Sequence, residues 1–129
     1  MKLNTLFSVY GVVAVVFCAG LLLLPAFWIT LYGATADSQA TLLLRLVGAL
    51  FGGLAVMAWV GRNAEPSTSR DATVLGLTVS NGLAAIVAVV GAVSGVYNQF
   101  AWGPVATFAL FAIGFLLVGR AGMSASTSK

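Results

Sequence analysis

The sequence predicts an all-α, integral membrane four-helix bundle with both termini cytoplasmic, and three observations predict it. Of its 129 residues, 60% are apolar and only 7% charged, a balance that suits lipid rather than water as the surrounding solvent. The apolar residues gather into four long runs parted by short polar breaks. Lys2, Arg62, Arg70, Arg120 and Lys129 all fall on one side of a path that crosses a bilayer four times.

The first run, residues 6–31, is interrupted only by Gly11, Gly20 and Pro25 and is long enough for roughly 30 Å of hydrocarbon. Pro25 removes a helical hydrogen bond near the far end, so a kink is expected there. Lys2 before the run and Ala34-Thr35-Ala36 after it have the look of a secretory leader. The run exceeds the usual 7–15 or so residues of a leader's apolar region, so it is read as a retained span.

The second segment, residues 41–60, is preceded by Asp37, Ser38 and Gln39, side chains able to cap the free N–H groups of its first turn. A polar stretch from Ala64 to Asp71, with Pro66 inside it, forms the longest break. The third segment, residues 72–96, has Ser69 or Asp71 as its expected N-terminal partners and Asn81 as its only strongly polar side chain. The fourth, residues 103–118, takes Pro104 in its first turn and leaves 119–129 as a polar tail. The chain reads as one transmembrane domain, with the connections 32–40 and 97–102 outside and Trp28, Tyr32, Tyr97, Phe100 and Trp102 as an outer aromatic belt.

Composition also removes function classes. The net charge of +3 comes from singly scattered cations, not from a basic run, which argues against nucleic acid as a partner. Cys18 is the lone cysteine and histidine is absent, so no metal site, haem ligand or disulfide is expected. No Asp or Glu lies within an apolar run, as proton-coupled transport would need, and no catalytic triad, carboxylate pair or phosphate loop is present. No catalytic residue is predicted, and a pore would need more polar lining than Arg45 and Asn81 supply.

Arg45 is the charge that stands inside an apolar run, where a guanidinium costs about 2.5–3.5 kcal/mol at the bilayer centre unless partnered or hydrated. Helical spacing sets it on a stripe with Gly48, Gly52 and Ala55, which is expected to face another helix. Two readings follow: the side chain snorkels to the outer headgroups or pairs with Asp37, or it forms the cationic wall of an outward-facing ligand pocket. Asn81 shares a stripe with Ala84, Ala85, Ala88, Ala92 and Gly95 and is read first as interhelical glue, second as a ligand contact. Arg45, Asn81 and Asp37 are therefore the candidate binding residues, and Gly48, Gly52, Ala84 and Ala88 the candidate packing residues.

In layout the chain resembles the small bacterial four-helix membrane proteins of the DoxX-like group. Tyr10-Gly11, Arg45-Leu46-Val47-Gly48-Ala49 and the stretch from Asn98 to Gly103 carry the resemblance. Members of that group are linked to quinone-dependent or thiol redox complexes and to accessory membrane roles. The resemblance implies a site near the outer leaflet at Arg45. With no histidine, second cysteine or membrane carboxylate, it implies an amphipathic ligand rather than thiol or proton-coupled chemistry.

Two functions are thus expected of a noncatalytic inner-membrane protein. One is an accessory subunit or homo-oligomer that packs through its small-residue stripes against a membrane-protein partner. The other binds a quinone, a lipid or another amphipathic small molecule, with no further cofactor.

Overall fold

A computed structural model describes residues 2–126, with side chains through residue 121. Its described residues are helices and loops in the order α1 (Leu3–Leu23), α2 (Pro25–Leu31), α3 (Ser38–Gly61), α4 (Thr68–Val93), a 3₁₀ turn (Gln99–Ala101) and α5 (Trp102–Ser126). Four helices are long and apolar enough to cross a membrane: α1, α3, α4 and the span Gln99–Ala121. They are the mark of a multi-pass membrane protein.

The expected first helix is two helices. Leu24 leaves helical geometry at φ −128° and ψ 47°, and Pro25 starts α2 at a position where its missing N–H is not needed. The Leu24 N–H still donates to the Gly20 carbonyl at 2.9 Å. The break swings Trp28 back over α1, where a Cβ at Gly20 would lie 2.7 Å from the Trp28 Nε1.

Asp37 caps α3 by accepting from the Ala40 N–H at 2.7 Å. Ser67 caps α4, accepting from the Arg70 N–H at 3.3 Å, while Ser69 and the expected acidic side chain Asp71 fall in its first turn. The third segment therefore begins four residues before the expected Ala72, because a capping hydroxyl can start a helix on polar residues. It ends at Val93, short of Val96, and Gly95 then takes φ 73°, the left-handed geometry that closes helices. The fourth segment continues through residues 119–126 instead of stopping at Val118, since nothing there breaks a helix. Lys129 lies outside the described residues.

Around the bundle, α1 packs along its length on α3 and α4 on α5, while α1 touches α5 and α3 touches α4 through narrower seams. The α1–α3 pair is antiparallel and close because Gly48 faces Leu21, Gly52 faces Cys18 and Gly61 faces Phe7. A Cβ on Gly48 would come within 2.9 Å of the Leu21 Cβ.

The core is lopsided. Leu6, Phe7, Tyr10, Ala58, Val74, Leu77 and Phe115 are among its most buried members, and these sit toward one end of the bundle. That basic end also carries Lys2, Arg62, Arg70 and Arg120. Tyr10 meets Phe111 edge-on with ring centroids 4.9 Å apart and Phe115 at 5.4 Å, the arrangement favoured by aromatic quadrupoles. Toward the opposite, aromatic end the filling is sparser, and the α3–α4 seam opens.

Candidate functional site

The opening is a groove of about 460 Å³. Leu44, Val47 and Phe51 of α3 form one wall, and Leu83, Ala84, Val87 and Ala88 of α4 form the other. Its floor is aromatic: Phe51 and Phe108 stack with centroids 6.1 Å apart at 16°, and Phe17 of α1 closes behind Phe51 at 5.2 Å. The volume falls within the 300–1,000 Å³ or so of small-molecule sites.

The only side-chain polar atoms among the lining residues are the hydroxyls of Tyr32 and Tyr97. These two rings stand 6.0 Å apart, and Trp28 continues the row 6.2 Å from Tyr32. Burial pushes the Tyr32 hydroxyl's pKa above its usual value, so it remains a neutral donor and acceptor across the physiological range. A smaller space of about 250 Å³, bounded by Ile29, Ala34, Ala40 and Leu43, shares Tyr32, Leu44, Val47 and Tyr97 with the groove.

Asn98 holds the tyrosines. Its backbone N–H donates to the Tyr32 carbonyl at 2.9 Å, and its Nδ2 donates to the Leu31 carbonyl at 2.8 Å. Its Oδ1 accepts the Phe100 N–H at 3.0 Å, starting the 3₁₀ turn. Gly33 makes the approach feasible: at φ 80° it turns the chain, and a Cβ there would sit 3.2 Å from the Asn98 Nδ2. Both loops at the aromatic end are thus one hydrogen-bonded unit.

The sequence-predicted residues are not brought together. Arg45 does not point into the bundle: it is exposed, it does not line the groove, and among the described residues nothing pairs with it, Asp37 included. Of the expected stripe Gly48, Gly52 and Ala55 do face α1, and only Arg45 departs from it, at the edge of a buried face that runs from Gly48 through Ala55 and Ala58 to Gly61. Asp37 commits an oxygen to the helix cap.

Asn81 is buried at 2% exposure in the core, away from the groove. Its Nδ2 donates to the Leu77 carbonyl in its own helix at 2.8 Å, and its side chain faces Tyr10 of α1 across the core. Gly48 and Gly52 meet α1 within the chain. Ala84 and Ala88, expected at a helix contact, are half-buried and line the groove instead.

Sequence reasoning missed Asn98 and the groove role of Tyr32 and Tyr97. The signal available was a polar Asn98 beside two aromatic clusters; the spacing of 66 residues from Tyr32 hides their meeting. No family model matches the chain, and neither a curated protein nor a solved structure matches it.

Proposed function

We propose that this chain is a noncatalytic protein of the cell inner membrane that holds an isoprenoid quinone, a lipid or another amphipathic small molecule in the α3–α4 groove. Both termini and the 62–67 loop are cytoplasmic in this reading, which the cations gathered at one end support. The groove is then in the outer half of the bilayer. The observation that carries the proposal is a pocket with carbon-lined walls and two phenol hydroxyls among its lining residues, matched to a molecule with an apolar tail and a polar head. Tyr32 and Tyr97 replace Arg45 as the polar contacts.

The test is native mass spectrometry of the full chain extracted in mild detergent, beside an Ala88→Phe variant whose ring occupies the groove. A copurified small molecule in the natural chain that is lost in the variant supports the proposal. Detergent alone in the natural chain, or the same molecule retained by both, overturns it.

A second reading, an accessory subunit or homo-oligomer, is favoured by Gly53 and Gly76, exposed glycines with open space where a Cβ would stand. Such positions admit close approach of another helix. Kinship with the DoxX-like group belongs to the proposal as well, supported by Arg45 after the first outer loop and by Asn98 to Gly103 before α5.

A further inference from the structure

At the basic end a second cleft, of about 290 Å³, opens between the last turns of α3 and the first turns of α4. Its α3 side is apolar, from Val56, Met57 and Val60; its α4 side is Ser69, Arg70 and Thr73. The polarity therefore changes along the cleft, from hydrocarbon toward the bundle middle to a cation at the helix ends.

Arg70 is oriented but not neutralised. Its Nη2 donates to the Asn4 Oδ1 at 2.9 Å, a contact with an uncharged amide. Its Nε is buried without any partner. No carboxylate among the described residues lies within ion-pairing distance of it, although Asp71 is adjacent in sequence and Glu65 lies in the same loop. A half-buried guanidinium with no carboxylate beside it is a costly arrangement that a charged acceptor relieves.

We infer that this cleft binds the phosphate headgroup of an anionic phospholipid, with Arg70 as its ligand and the Val56–Val60 wall against the acyl chain. The terminal nitrogens of the guanidinium, of which Nη2 already reaches Asn4, are the donors that take the phosphate oxygens. Lys2, Arg62 and Arg120 share this end of the bundle and outnumber Glu65 and Asp71, so the local field favours an anion. Arg62 is held with its guanidinium carbon 3.6 Å from the centroid of the Trp59 ring. The site is separate from the groove at the aromatic end and does not depend on what fills that groove.

The full chain in mild detergent is titrated with phosphatidylglycerol and phosphatidylcholine of identical acyl chains, and bound lipids are counted by native mass spectrometry. The expected result is one phosphatidylglycerol retained in preference, by about fivefold, the equivalent of roughly 1 kcal/mol for one arginine at an anionic surface. Arg70→Gln removes the preference and Arg45→Gln, at the other end, keeps it. Asn4→Asp keeps the contact to Arg70 while neutralising it, so this variant also loses the preference and covers the case in which Arg70→Gln does not fold. Equal retention of the two lipids by the natural chain, or a preference that survives both site variants, overturns the inference. Inorganic phosphate displacing phosphatidylglycerol on equal terms identifies a free-anion site and overturns the lipid assignment.

Discussion

The side-chain amide of Asn98 reaches across 67 positions of sequence to the main-chain carbonyl of Leu31, at 2.8 Å. The bond ties the end of α2 to the 3₁₀ turn before α5. Asn98→Ala removes this bond and the one to the Phe100 N–H, and because both are exposed the expected loss is about 1 kcal/mol of stability. Asn98→Asp keeps an acceptor for Phe100 but sets a carboxylate oxygen against a carbonyl, and loses at least as much. Thermal unfolding in detergent measures both, and an unchanged midpoint in both contradicts the assignment.

Tyr10 and Asn81 join α1 to α4 across the core. Tyr10→Phe and Asn81→Leu each destabilise the fold, and the double variant is less damaged than the sum because neither polar group is then left alone. The coupling expected from a double-mutant cycle is about 0.6–2 kcal/mol, the range for polar contacts between membrane helices. Strict additivity would show that the two side chains act independently.

Gly48 and Gly53 predict opposite outcomes for the same substitution. Gly48→Ala forces the new methyl against Leu21 and separates α1 from α3, at a cost of about 1–3 kcal/mol. Gly53→Ala meets nothing within 4 Å and gains helix propensity, about 0.5–1 kcal/mol. Unfolding midpoints of the two variants should move in opposite directions; a fall for Gly53→Ala would point instead to a helix–helix contact at that exposed site.

Arg45→Leu is expected to fold normally and to keep whatever molecule occupies the groove, because Arg45 neither lines it nor has a partner among the described residues. Loss of the copurified molecule in this variant, with an unchanged unfolding midpoint, would return Arg45 to the binding site.

The candidate site was only partly legible in the sequence. Small residues at Ala84 and Ala88 marked a face of α4 where something approaches, but spacing alone does not separate a packed helix from an open groove. Arg45 drew notice because a charge in hydrocarbon is costly, yet cost does not tell inward from outward when the side chain is long enough to reach the surface. Tyr32 and Tyr97 looked like ordinary interfacial aromatics, and only their pairing through Asn98 gives them a common role.

Local chemistry along the chain determined the four apolar spans, the helix break before Pro25, the cap at Asp37 and the collection of cations at one end. Each of these follows from neighbours in sequence: a backbone that must satisfy its own hydrogen bonds, a ring without an N–H, a carboxylate beside free N–H groups. Tertiary structure alone decided which stripes are buried, where Arg45 points and where the bundle is hollow. Those depend on how bulky rings and bare glycines from distant segments share one volume, with Phe7, Phe111 and Phe115 filling the basic half and the alanines of α4 leaving the other half open.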